Sequence, residues 1–201
     1  MHKVEPATKD FGKINQLIHD IEEKLTFFHR LFTKSANVDY FLEKNIAKRI
    51  EVCLDTIGDT LMGVKDYLNS DIKYGSGFNY LCIYGVLQML FVQQDAVGHL
   101  YGCLRDGYAP QEELTQIRNV RNLIVGHPTD KKINKISHYA EIIRMTLEKY
   151  SFTSLVEDEK GNFESKNYDV IDLIKTQFFH VNNELENIKK IMEDDPDICM
   201  G

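Results

Sequence analysis

Between Phe78 and Arg105 the sequence is apolar on almost every side of a helix in its first half, and that stretch limits the possible folds more than any other. A helix with no clear polar face has to lie at the centre of a bundle or inside an oligomer interface. Its most apolar run, Tyr80 to Val92, contains Gln88 and spans only about a dozen residues, against the roughly 20 that a bilayer requires. The expectation is therefore a buried helix and no membrane. The second half turns polar, with Gln93-Gln94-Asp95 and His99.

Around this segment, apolar residues recur at intervals of three and four, the period of amphipathic helices. One helix runs from Phe11 to about Thr33 on Ile14, Leu17, Ile18, Ile21, Leu25 and Phe28. A second starts at Asp39, an N-cap type, and ends near Asn69-Ser70, before a loop over Asp71–Gly77. Gly107-Tyr108-Ala109-Pro110 breaks the chain, and a short helix follows from Gln111 to about Val125. Gly126 suits the left-handed position beyond a helix end, and Pro128 cannot continue the helix. A fifth helix is expected over Ile133–Lys149, with Ile136, Ala140, Ile143, Met145 and Leu147 as its apolar residues. Tyr150–Tyr168 alternates in a β-like manner around Lys160-Gly161-Asn162, which suggests a small hairpin. A last helix covers Val170–Met192, and residues 193–201 form an acidic, frayed tail. The expected fold class is all-α: one domain over residues 1–201, an up-and-down helical bundle with a hairpin insert near 150–168.

Composition narrows the function. With 201 residues, 43% hydrophobic and only 4 prolines, the chain has enough apolar surface to fold. Cys53, Cys82, Cys103 and Cys199 include no close-spaced pair, which argues against a zinc ribbon or a CxxC redox site. Free thiols and a charged opening, Met1-His2-Lys3-Val4-Glu5-Pro6, fit a reducing, cytoplasmic location. The net charge of −7 is uneven: residues 1–150 carry 19 basic and 19 acidic side chains, whereas residues 151–201 carry 5 and 12. Broad electrostatic capture of nucleic acid is a poor default for such a chain, and any RNA contact has to be local.

The chemistry concentrates in Gln116-Ile117-Arg118-Asn119-Val120-Arg121-Asn122-Leu123-Ile124-Val125-Gly126-His127-Pro128-Thr129. Arg118 and Arg121 are three apart and share a helix face. The chain reverses at Gly126, so His127 can return toward Arg121. An imidazole takes or gives a proton near neutral pH, and a guanidinium grips phosphate oxygens in bidentate fashion. Together they supply an acid or base and a clamp for charge developing on a phosphoryl group, with no metal or other cofactor required.

Arg121-Asn122, four further residues and His127 resemble the Arg–polar–spacer–His signature of HEPN domains. The flanking Ile117-Arg118 and Gly126-His127-Pro128-Thr129, with Tyr84-Gly85-Val86-Leu87-Gln88 and Gln93-Gln94-Asp95-Ala96-Val97 on the preceding helix, are similar to bacterial members. The resemblance covers Asp39 to Lys149. It implies a helical bundle, a homodimer whose paired motifs form one cleft, and metal-independent endoribonuclease activity of the kind found in toxin–antitoxin and defence systems, where an antitoxin chain is a possible partner. By this likeness His127 activates the ribose 2′-hydroxyl or protonates the leaving oxygen, Arg121 stabilises the phosphorane, Asn122 orients His127 or the phosphate, and Arg118 supports them.

Each of these residues also has a plainer reading. His127 could cap the helix end, and Arg118 and Arg121 could pair with Glu112 or Glu113 at the surface. Gln88, Gln93, Gln94, Asp95 and His99 could form a satisfied polar network, or Gln88 and Asp95 could orient Arg121. His127, Asp130 and His138 match no compact metal-ligand spacing, and Tyr74-Gly75-Ser76-Gly77 lacks the residues of a phosphate loop. The alternative function is a non-catalytic dimerisation or nucleotide- or RNA-binding module.

Overall fold

The computed structural model describes residues 8–33, 46–70 and 75–194. The expected helix start at Asp39, the loop over residues 71–74 and the tail from residue 195 lie outside these. Helix α1 (Thr8–Thr33) buries Ile14, Ile18, Ile21, Leu25 and Phe28, the stripe spaced at three and four residues. Helix α2 (Ile46–Asn69) does the same with Ile50, Leu54, Ile57, Leu61 and Val64. Helix α3 (Ser76–Leu104) packs on α2 along one side and on α4 (Glu112–Arg121) and α5 (Val170–Asp194) along others. α5 closes the bundle against α1, burying Ile174, Phe178, Val181, Leu185, Ile188 and Met192. Truncating a side chain as large and fully buried as Phe178 to alanine costs about 3–5 kcal/mol. α3 is not buried all round: Leu81 near its start is 66% exposed.

The all-α expectation is wrong. Between α4 and α5 stands a four-stranded antiparallel sheet in the order β1 (Lys131–Ile133), β2 (Ile136–Ile142), β3 (Ser151–Asp158), β4 (Phe163–Asp169). The hairpin expected at 150–168 is its β3–β4 half, with Gly161 at φ +80° in the turn. The helix expected over Ile133–Lys149 does not form. Asn134 and Lys135 take φ of 52° and 69°, the two positive values that a tight two-residue hairpin needs, and they join β1 to β2. Ile136, His138, Ala140 and Ile142 then alternate with Ser137, Tyr139 and Glu141, so the same residues follow a period of two. A single 3₁₀ turn, Arg144–Thr146, leads to β3.

The sheet closes one flank of the bundle. Its inner face inserts Ile142 and Phe152 into the core, and Tyr168 stacks on Phe152 with ring centroids 4.9 Å apart. Tyr150 donates to the carbonyl of Leu68 at 3.0 Å, and Tyr67 donates to the carbonyl of Lys149, which ties the sheet to the end of α2. β4 runs directly into α5. The Asp169 carboxylate accepts the backbone N–H groups of Ile171 (2.8 Å) and Asp172 (3.2 Å), filling donors that a helix start leaves empty.

Candidate functional site

α4 is short, and its last turn carries Arg118 and Arg121, where cations complement the helix dipole. The helix then widens into one π turn, Asn122–Gly126, closed by the His127 N–H on the Asn122 carbonyl at 2.9 Å. Such turns insert a residue into a helix and redirect the side chains after it. Gly126 is not in the left-handed conformation expected for it. A Cβ there would sit 2.8 Å from Nη1 of Arg121, so a side chain at this position would displace the guanidinium from its present pose.

The guanidinium of Arg121 is held from three sides. Its Nε and Nη2 donate to Oε1 of Gln88 at 3.0 and 2.7 Å, and Nη1 donates to Oδ1 of Asn122 at 3.0 Å. Its Cζ lies 4.2 Å from the ring centroid of Phe91. These partners are two neutral amides and an aromatic face, so they fix the pose without cancelling the charge. A guanidinium has five N–H donors; three are engaged here and two remain. Arg118 contrasts with it. Its Nη2 donates to the Asp95 carboxylate at 2.6 Å, its Nε to Oε1 of Gln94 at 3.3 Å, and its Cζ lies 4.4 Å from the same Phe91 ring.

Behind the arginines lies a buried amide network. Gln94 donates to Gln177 of α5 at 2.8 Å, and Gln177 donates to Gln93 (3.1 Å) and to the Leu90 carbonyl (3.0 Å). Gln93, Gln94 and Gln177 are all nearly inaccessible to solvent. α3 therefore contributes a network and an orienting contact, divided between residues. The network is not fully satisfied, because the buried Nε2 of Gln93 has no hydrogen-bond partner among the described residues. Gln88 orients Arg121, whereas Asp95 pairs with Arg118 and not with Arg121. His99 is exposed and takes no part in the network.

His127 follows Gly126 directly, and its side chain is exposed. The ring forms no hydrogen bond or ion pair among the described residues, so the helix end is capped by the residue's backbone N–H and not by imidazole. Neither arginine pairs with Glu112 or Glu113; Glu113 faces His180 at 3.8 Å. Among the described residues, no three His, Cys, Asp or Glu side chains gather as a metal site would. His138 turns Nδ1 to the Ile136 carbonyl at 3.0 Å. No helix among the described residues is long and apolar enough to cross a membrane.

Two parts of the site escaped the sequence reading. Phe91, between Gln88 and Asp95 on one side of α3, is the shared platform for both guanidiniums, and its spacing of three and four from them was the available signal. Gln177, 83 positions from Gln94, had no local signal at all. No family model, no curated protein and no solved structure matches the chain.

Proposed function

We propose that the end of α4 is a phosphodiester-cleaving site and that the protein is a metal-independent, HEPN-like endoribonuclease. The observation that carries this reading is a guanidinium fixed by neutral amides, with two donors to spare, six residues before an exposed histidine whose ring is uncommitted among the described residues. A charge that is preorganised but not neutralised is what a developing phosphorane requires. His127 removes the proton from the ribose 2′-hydroxyl, or returns one to the departing 5′-oxygen, and Arg121 receives two non-bridging oxygens. The 2′-oxygen attacks phosphorus, the bond to the 5′-oxygen breaks, and a 2′,3′-cyclic phosphate and a 5′-hydroxyl result. Asn122 and Gln88 hold the guanidinium in position, and Arg118 supports the turn through Asp95.

The second reading is a non-catalytic dimerisation module, favoured by Leu81 and Phe78, 66% and 38% exposed at the start of α3. A homodimer joined there is compatible with either function. Incubating the protein with single-stranded RNA in EDTA separates them. The enzyme yields cyclic-phosphate ends, the His127→Ala and Arg121→Ala variants lose cleavage while melting near the wild-type temperature, and 2′-deoxy substitution in the RNA blocks it. Intact RNA with the wild-type protein, or undiminished cutting by both variants, rejects the nuclease.

A further inference from the structure

The other flank of α4 borders a groove of about 1050 Å³, bounded by the sheet and by the first turns of α5. Lys131 and Lys132 of β1 and Lys166 of β4 line it. Lys131 is half-buried and the other two are exposed. Among the described residues none of the three forms an ion pair. Three carboxylates border the same groove, and of these, among the described residues, only Asp172 pairs with a lysine. Glu113 faces His180 at 3.8 Å, Asp172 pairs with Lys175 at 3.3 Å, and Asp169 caps α5. Three lysines without a carboxylate partner among the described residues and three carboxylates thus line the same groove, in a chain whose net charge is −7.

The groove borders the same segment of chain that carries the arginine and the histidine, although Arg121 itself turns to α3. Val120 and Leu123 line the groove, and Arg121 and Asn122 lie between them in the chain. Lys131 follows His127 by four residues, a reach of at most about 14 Å. Gln116, Asn119 and Asn167 add amide donors and acceptors along the walls. Burial lowers the pKa of Lys131, and a phosphate beside it would favour its charged form.

We propose that this groove binds the sugar-phosphate backbone of single-stranded RNA, with Lys131, Lys132 and Lys166 contacting phosphates next to the cleaved one. The proposal rests on reading the Arg121–His127 pair as an RNA site and adds a binding track on an element outside that motif, the sheet. The lysines of β1, an edge strand, would also deter pairing with another sheet, and the experiment has to separate this structural role from binding.

The probe is a fluorescein-labelled oligouridylate with 2′-fluoro sugars, which cannot be cleaved by transesterification, titrated with protein at several salt concentrations and followed by anisotropy. Each phosphate contact contributes about 0.7 to the slope of log affinity against log salt for a single strand. Replacing all three lysines by glutamine should therefore lower that slope by about 2 and weaken binding at low salt by at least about tenfold. Lys48→Gln, away from the groove, should change neither. Unchanged affinity and slope in the triple variant, equal loss in the Lys48 control, or no binding by the wild type would overturn the proposal. Cleavage of natural RNA in EDTA is scored separately. Groove-dependent binding without cleavage removes the nuclease and leaves the track, whereas cleavage with groove-independent binding removes the track and leaves the nuclease.

Discussion

Arg118 and Arg121 stand one turn apart on the same helix and against the same phenylalanine, yet their surroundings assign them different work. Arg118 meets a carboxylate, and a half-exposed ion pair of that kind is worth about 0.2–1 kcal/mol and leaves little charge for a ligand. Arg121 meets only amide oxygens. A dipole can orient a guanidinium as firmly as an anion can, but it leaves the positive charge in place. The partner's formal charge, more than the arginine itself, separates a structural cation from a binding one.

The largest test of that contrast is Arg121→Ala. Losing a single preorganised donor group to a reaction's developing charge costs about 3–4 kcal/mol, so RNA cleavage should fall roughly 10²–10³-fold. Comparable loss in Arg118→Gln would erase the distinction between the two residues. Gly126→Ala comes next. Its Cβ would lie 2.8 Å from Nη1 of Arg121, and the flexible end of the arginine can move aside at small cost to the fold. Cleavage should fall about tenfold, 1.4 kcal/mol of barrier, with melting almost unchanged. A lower melting temperature with normal activity would mean that the glycine serves packing and not the guanidinium.

Arg118→Gln should have a smaller effect and a different readout. It should cost about 0.2–1 kcal/mol of stability in chemical denaturation and leave cleavage within a factor of a few. The smallest effect concerns a carboxylate committed entirely to structure. Asp158 accepts the side-chain amide of Asn162 and the backbone N–H groups of Asn162 and Lys160, all at 2.9 Å. Those bonds, the Asn162 side chain first, hold its pKa below the ordinary 3.8. A lowered carboxyl pKa means that the stabilisation is complete above the unfolded value and disappears as pH falls through the folded one. Protection of the β3–β4 turn amides from exchange, relative to their intrinsic rates at each pH, should therefore fall below about pH 4, and Asp158→Asn should flatten that dependence.

The long helices were legible because a buried stripe recurring at three and four admits few other folds: Ile14, Ile18, Ile21, Leu25 and Phe28 lie where the period puts them. The sheet was not, for a definite reason. Ile136, Ala140, Ile143 and Leu147 satisfy a helical spacing, while Ile136, His138, Ala140 and Ile142 satisfy a strand's. Local pattern leaves the two tied. The tie is broken by Asn134-Lys135 in the hairpin turn, and by β3, which pairs with β2 along its length. At the site, Arg121, Asn122 and His127 could be picked out by residue type and spacing. Gln88 could be nominated but not placed, since its partner lies 33 positions away. Phe91 and Gln177 act through contacts between helices that no single segment encodes.

Side-chain ¹⁵N NMR of the arginines, recorded while a non-cleavable 2′-fluoro uridine dinucleotide is added, tests most directly whether Arg121 holds its charge ready for a phosphodiester. The Arg121 Nε–H and Nη–H resonances should shift with saturation, while those of Arg118, tied to Asp95, stay in place. Shifts confined to Arg118, or no response from either guanidinium at saturating ligand, would contradict the account.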